Sequence, residues 1–200
     1  MRFLVIASLS LAAAILSFGC SAPASKTAGP NTGSVSGAVS SAKVTTVSAV
    51  ARFGNYFKDE SGRPARGLRI LISDRPNSCA ATHFASSTNL DLRVRAGNPG
   101  SYVIVDAAKQ SPAAEQAEVD LNAVDRVCKD LVATAATGGT LHITAVEIHL
   151  TDPGSHVTGS IDSTFAGGHI AGDFDAVLCD ESAADAGLGP DAGSPPVCSP

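Results

Sequence analysis

The histidines and one group of aspartates are the side chains best suited to bind a metal. The histidines are His83, His142, His149, His156 and His169, and the aspartates are Asp162, Asp173 and Asp175. Tight spacings such as His-x-His or His-Glu-x-x-His, which are typical of metal ligands, do not occur. Alternation along a strand also places polar side chains on a solvated face without any ligand. We therefore predict surface histidines, a solvated row of aspartates, and neither a metal nor a cofactor.

Local signatures of catalysis are missing from the sequence. It contains no Gly-x-Ser-x-Gly elbow and no glycine-rich phosphate loop. The chain has two tyrosines and no tryptophan, which is a poor aromatic supply for carbohydrate binding. We therefore expect a protein that is not an enzyme. The alternative is a secreted hydrolase, with a triad assembled only by folding, or a glycan- or ligand-binding module.

The N-terminal 20 residues follow the order of a secretory signal, with a positive start, an apolar run and then small residues. The apolar run, residues 3–16, is shorter than the about 20 residues that a transmembrane helix needs. The five residues that end at Cys20, Leu-Ser-Phe-Gly-Cys, resemble a bacterial lipobox. The resemblance implies that residues 1–19 are a signal peptide and that Cys20 carries a diacylglycerol membrane anchor. Ordinary cleavage near Gly19 is the alternative.

The residue after the cysteine and the overall charge restrict location and partners. Ser21, in place of aspartate, implies by the same resemblance the outer membrane of a Gram-negative bacterium. Loss of residues 1–19 removes one of 14 basic residues, Arg2, and leaves 13 against 19 acidic residues, a net charge of −6. This charge argues against nucleic acid as a partner. Residues 20–32 and 180–200 are rich in Ser, Ala, Pro and Gly, so we expect a flexible linker and a disordered tail around one domain, residues 33–179.

Apolar residues within the domain recur with a period of two, which predicts β-strands. Leu90, Leu92 and Val94 alternate with polar residues and predict one buried and one wet face. Residues 113–132 fit an amphipathic helix or a strand, and we favour a strand because the flanking segments are β. In residues 140–150 the apolar positions change parity, which predicts a β-bulge.

The last part of the domain predicts a hairpin. Residues 156–165 and 169–178 repeat one alternating pattern 13 residues apart, and Gly167-Gly168 lies between them. Together with the lipobox and the Ser/Gly-rich start of the domain, this segment resembles the C-terminal hairpin of a group of bacterial envelope lipoproteins of unknown function. The resemblance implies a location and a fold but no activity.

About nine short strands with little helix predict an all-β fold, a two-sheet antiparallel β-sandwich. In the absence of a catalytic pattern, we expect an envelope-anchored lipoprotein with a non-enzymatic structural or binding role. Its partners would be the membrane, through the lipid, and an unknown protein or polymer, through the loops of the domain.

Four cysteines remain once Cys20 is assigned to lipid, and cysteines outside the cytoplasm tend to pair. If successive strands alternate in direction, Cys79 and Cys179 lie at the same end of the sandwich and Cys128 lies at the other. We therefore predict a Cys79–Cys179 disulfide, with Cys128 either paired with Cys198 or reduced and buried. A helix, or two strands, within residues 113–132 would change the parity and favour a Cys128–Cys179 bond.

Overall fold

The computed structural model describes residues 33–59, 61–76, 79, 86–148 and 154–179. The predicted signal peptide, Cys20, the linker and the tail lie outside these residues, as do His83 and His149. The described part contains eleven strands and no helix, which confirms the all-β prediction. The strands are β1 (Ser36–Val39), β2 (Ala42–Thr45), β3 (Ser48–Lys58), β4 (Pro64–Ser73), β5 (Thr88–Val94), β6 (Gly100–Ile104), β7 (Gln116–Val124), β8 (Asp130–Ala135), β9 (Gly138–Glu147), β10 (His156–Phe165) and β11 (Gly168–Leu178).

The sheet closes on itself, so the predicted two-sheet sandwich is wrong. Eight strands form a ring in the order β3, β4, β5, β7, β6, β9, β10, β11, and β11 returns to β3. Two contacts in this ring are parallel and short, β6 with β7 and β11 with β3, and each joins two residue pairs. Periodicity marks which side of a strand is apolar in sandwiches and barrels alike. It does not reveal a two-residue contact that joins two sheet edges.

Three further strands extend the eight-stranded barrel. β1 pairs with β11 and with β2, while β8 pairs with the second half of β7. The buried valines Val35, Val39 and Val44 of the β1–β2 hairpin belong to the same apolar core as the barrel strands. The hairpin is therefore an integral part of the packed domain.

Apolar side chains fill the barrel interior, as expected because an eight-stranded barrel is just wide enough for side chains. Alternation places every second residue of each strand inside. The largest fully buried side chains of the ring are Leu68, Ile70, Ile72, Leu90, Leu92, Leu121, Leu141, Ile143 and Ile170. The predicted dry face of β5 is confirmed, because Leu90, Leu92 and Val94 are all buried.

Several local predictions are also confirmed. Residues 116–124 form a strand, and a second strand, β8, begins at Asp130. In β9 the pairing with β10 slips at one point: Ala145 lies opposite Thr158, whereas Ile143 lies opposite Gly159. Thr144 is thus the extra residue of the predicted bulge. The predicted hairpin is β10–β11, which is continuously paired from His156–Val177 to Phe165–Gly168.

A second, smaller apolar cluster lies on the outside of the barrel. Val50, Leu71 and Val177 point outward there and pack with Cys79 and Cys179. The two cysteines form a disulfide with an S–S distance of 2.06 Å, which is the pairing predicted from the sequence. The bond ties the connection between β4 and β5 to the end of β11.

Candidate functional site

Charged residues form a row across one outer face of the barrel. Arg52 on β3 lies opposite Arg69 on β4, which lies opposite Arg93 on β5, and Arg93 lies opposite Glu118 on β7. These positions point outward because their neighbours in each strand fill the barrel. Two residues further along, Asp91 lies opposite Asp120. We refer to the following six residues as the polar row: Arg52, Arg69, Asp91, Arg93, Glu118 and Asp120.

Ion pairs hold most of the polar row together. The guanidinium of Arg69 donates two hydrogen bonds to the Asp91 carboxylate, from Nε to Oδ1 and from Nη2 to Oδ2, both at 2.9 Å. Arg93 contacts Glu118 at 2.7 Å through Nη1 and Asp120 through Nη2. Arginines directly opposite each other on neighbouring strands repel. The three carboxylates offset this repulsion, so three positive and three negative side chains balance.

Arg52 is the exception within the polar row. Its side chain is buried, with the residue only 4% exposed, and its Nη2 donates to the backbone oxygen of Cys79. Within the described residues, no carboxylate forms an ion pair with it. Burial lowers the pKa of Arg52, and the neighbouring Arg69 lowers it further. Arginine nevertheless remains protonated in proteins, so Arg52 is a buried positive charge.

Buried polar atoms without a hydrogen bond are concentrated on this face. Among the described residues they are Arg52 Nε, Asn89 Oδ1 and Arg93 Nε, the last of which lies 3.7 Å from Asp91 Oδ2 in an ion pair. Asn89 lies on β5 two residues before Asp91 and points to the same side. A buried polar atom without a partner costs about 1–3 kcal/mol, so such atoms are rare in folded proteins. Because three such atoms lie on this face, the face lowers the free energy of unfolding.

An aromatic ring lies beside the charges. Tyr56 is half-buried, and the Arg69 guanidinium lies 5.9 Å from the centre of its ring. Burial raises the pKa of the Tyr56 hydroxyl, while Arg69 and Arg52 lower it. The hydroxyl is therefore neutral at physiological pH and can both donate and accept a hydrogen bond. The face thus combines an aromatic ring with positively charged hydrogen-bond donors and negatively charged hydrogen-bond acceptors.

The two carboxylates on β7 are shifted toward the neutral form. Burial is the largest effect and raises the pKa of both Glu118 and Asp120, and Asp91 raises both further. Arg93 acts in the opposite direction but does not outweigh burial. The folded protein therefore holds protons at Glu118 and Asp120 more tightly than the unfolded chain does.

The stability of the protein should reach its maximum in mildly acidic solution. Because Glu118 and Asp120 have raised pKa values, the unfolding free energy rises as the pH falls from neutrality toward their ordinary values of 4.5 and 3.8. Hydrogen bonds lower the pKa of Asp59, Asp106 and Asp125. The stabilisation that these three carboxylates contribute is therefore lost as the pH falls below their ordinary pKa of 3.8. Urea unfolding at successive pH values measures this profile. In the Glu118→Gln/Asp120→Asn variant, the unfolding free energy should depend less on pH above pH 4.5 and as steeply as in the parent below pH 3.8. If the curves of parent and variant are parallel above pH 4.5, the assignment of this effect to Glu118 and Asp120 is wrong.

A different outer face carries the histidines that the structure describes. His142 Nδ1 lies 3.0 Å from Ser101 Oγ, and both residues are exposed. Within the described residues, no carboxylate is bonded to His142, so the pair lacks the third member of a catalytic triad. The described part of the chain also contains no group of three His, Cys, Asp or Glu side chains that could hold a metal ion.

The other two described histidines pair with the predicted row of aspartates. His156 Nδ1 lies 2.5 Å from Asp175, and His169 Nε2 lies 2.8 Å from Asp162. Asp162, Asp173 and Asp175 point outward from the last hairpin, on the side predicted from the alternation. These contacts are cross-strand pairs on a sheet surface.

Comparisons with known proteins add no identity. No family model, curated protein or solved structure matches the chain. Among the described residues, no helix has the length and apolar character needed to cross a bilayer. The polar row and the N-terminal sequence are therefore the two features of the protein that bear on its function.

Sequence reasoning identified the wet face of β5 but not the polar row. Asp91 and Arg93 alternate with buried leucines, which was visible in the sequence. Glu118 and Asp120 alternate in the same way with Val119 and Leu121. The missing information was that β5 pairs with β7, because β6 lies between them in the sequence.

Proposed function

We propose that this protein is an envelope-anchored lipoprotein whose barrel binds a protein or polymer partner through the polar row, without catalysing a reaction. The observation that carries the binding proposal is the joining of six charged side chains with Tyr56 on one outer face, where three buried atoms also form no hydrogen bond. A partner would contact the groups of this face that remain partly exposed, which include Tyr56, Arg93 and Asp120.

The anchoring proposal is supported by the lipobox-like segment that ends at Cys20. We propose cleavage before this residue, attachment of a diacylglycerol to its sulfur, and a location in the outer membrane. Two acyl chains on one glycerol hold a protein more firmly than a single chain does. The mature chain has a net charge of −6, so electrostatic attraction to anionic lipid does not assist the anchor.

Replacement of the proposed lipidation residue should release the protein from membranes. We expect Cys20→Ala to move the chain from the membrane fraction to the soluble fraction of the envelope, because the acyl chains are its only proposed membrane contact. Fractionation after a high-salt wash, followed by immunoblotting, measures the change. A variant that stays with the membranes would contradict lipid anchoring.

Partner binding is tested by capture from envelope extracts. The soluble domain, residues 33–179, is immobilised, and bound protein and glycan are identified by mass spectrometry. The Tyr56→Ala/Arg69→Gln variant should retain at least about tenfold less of the captured partner, since one interface hydrogen bond to a charged group and one aromatic contact are lost. Thr140→Ala, at an exposed position of β9, is the matched control and should retain as much as the parent.

A second candidate, a secreted hydrolase, is favoured by one observation only, the 3.0 Å contact between Ser101 and His142. A serine nucleophile requires a base that is itself oriented by a third group. The exposed position of this pair and its lack of a described carboxylate make the hydrolase the weaker proposal. Labelling of the domain by a fluorophosphonate probe, abolished by Ser101→Ala, would reverse this ranking.

A further inference from the structure

The strand β8 has a neighbouring strand on one side only. It pairs with β7, and within the described residues no strand pairs with its other edge. The backbone nitrogen of Ala136 donates to the oxygen of Val119 on the β7 side at 2.8 Å, so alternation turns the N–H groups of Ala133 and Ala135 away from β7. Among the described residues, neither of these two N–H groups donates to an acceptor. Both can therefore pair with an added strand.

β8 also lacks the features that usually protect a sheet edge. β2, the other strand with a single neighbour in the described sheet, has four residues and carries the exposed Lys43. Lysine on an edge strand opposes the addition of a further strand. β8 has six residues, and residues 131–135 contain neither a charge nor a proline. A bulge at Leu131 confines the regular pairing to residues 132–135. We refer to the side of residues 132–135 that faces away from β7 as the open edge.

A carboxylate with an unused oxygen lies beside the open edge. Asp120 on β7 lies opposite Ala135, and its side chain is 35% exposed. Its Oδ2 contacts Arg93, whereas no donor in the described residues bonds to its Oδ1. Asp91 lies opposite Asp120 on the far side, so two negative side chains adjoin. A positive group that approaches from the open edge would offset their repulsion.

We propose that the partner of this protein is a polypeptide, and that an extended segment of it adds to the open edge with a lysine or arginine directed toward Asp120. This inference rests on the proposed function, because it specifies the partner that binds the polar row. The main-chain hydrogen bonds of the added strand supply affinity for any extended segment. The contact with Asp120 selects segments that carry a basic side chain.

The small side chains of β8 leave room for this contact. Ala133 and Ala135 lie on the outer face, beside Asn122 and Asp120 of β7. Neighbouring strands lie about 4.8 Å apart, which places the backbone of an added strand about 10 Å from that of Asp120. Lysine and arginine have long carbon stems that lie along a surface and carry the charge at their end. Such a side chain can therefore pass over Ala135 and reach Asp120.

Hydrogen exchange of the mature, full-length protein in detergent micelles tests the added strand. The probes are two synthetic heptapeptides, Thr-Val-Thr-Lys-Thr-Val-Thr and the same peptide with glutamate in place of lysine. We expect a saturating amount of the lysine peptide to slow the exchange of the Ala133 and Ala135 amides at least about tenfold, as followed by NMR. The amide of Thr134 is the internal control, because by the same alternation it already bonds to β7. No slowing, or equal slowing at all three amides, would overturn the added strand.

The two peptides also test the contact with Asp120. The lysine peptide should bind the parent protein at least about tenfold more tightly than the glutamate peptide, and Asp120→Asn should remove most of this difference. Equal affinities of the two peptides for the parent would overturn the basic contact.

Capture from envelope extracts by the full-length protein separates this inference from the proposed function. Ala133→Pro removes one N–H group of the open edge but no bond to β7, and Ala133→Ser, which keeps that N–H group, is the matched control. Ala133→Pro should retain at least about tenfold less of the captured protein than Ala133→Ser does. Equal retention, or capture of a glycan alone, would overturn the inference while the proposed function stands. Capture that Tyr56→Ala/Arg69→Gln leaves unchanged would overturn the proposed function itself.

Discussion

Replacement of Phe174 by alanine should lower the unfolding free energy by about 3–5 kcal/mol, which is the usual cost of removing a buried aromatic ring. Phe174 is 2% exposed and lies in the main core on β11. Gly159 lies opposite it on β10, and a side chain at that position would lie within 2.7 Å of the ring. The ring therefore occupies space that the glycine leaves open.

Urea unfolding of the Phe174 variant measures this loss. Val103→Ala is the control, because Val103 is 60% exposed and such surface changes stay within about 0.5 kcal/mol. An unchanged midpoint for Phe174→Ala would place this side chain outside the core and would contradict the register of the last hairpin.

Removal of the Cys79–Cys179 disulfide should have an effect of similar size. The bond joins residues that are 100 apart in sequence, so the double variant Cys79→Ser/Cys179→Ser should lose about 4–5 kcal/mol in the chain-entropy model. The loss acts mainly on the unfolded chain, which becomes less restricted. It also removes the packing of Cys79 and Cys179 against Val50 and Leu71 on the outside of the barrel.

Thermal and urea unfolding of the double variant test this prediction. Replacing both cysteines avoids a new free thiol, which would complicate the comparison by exchange with other disulfides. A loss below about 1 kcal/mol would show that the connection between β4 and β5 is held in place without the bond, and that the unfolded chain gains little freedom from its removal.

The sequence predicted single strands well because each depends on local alternation. The pattern of Leu90, Leu92 and Val94 determines which side of β5 is buried, and the parity change in β9 marks its bulge. The closure of the barrel depends on the two short parallel contacts, which involve residues distant in sequence. Nothing in the local pattern of Val103 or Val177 distinguishes a barrel from a sandwich.

The disulfide was predicted correctly although part of the reasoning was wrong. Strict alternation of strand direction fails, because β6 and β7 run parallel to each other. The strands at Leu68, Leu90 and Ser101 therefore run opposite to the predicted directions. The two cysteines are nevertheless close because neighbouring strands of the barrel are staggered. The end of β11 lies beside the beginning of β3, with Leu178 opposite Ala51. The end of β4 lies at the same level, so Cys79 and Cys179 can meet.

The candidate site was only partly visible in the sequence, because local alternation does not show which strands pair. Each strand shows its own outward charges, such as Arg69 on β4 and Glu118 on β7. The neighbours of each strand decide whether these charges meet as ion pairs or remain isolated. Arg52 in addition contacts Cys79, which is distant in sequence and accepts a hydrogen bond from its guanidinium through the backbone oxygen.

Site-specific photo-crosslinking in intact cells tests the central claim, binding through the polar row, most directly. A photoreactive phenylalanine derivative replaces Tyr56 beside the polar row, or Val103 as the matched control on β6, in the full-length protein. Both positions accept a ring, since Tyr56 is already aromatic and half-buried and Val103 is exposed. We expect a discrete light-dependent adduct from position 56 and none from position 103. An adduct from position 103 alone, or no adduct from either position, would contradict the claim that the polar row binds the partner.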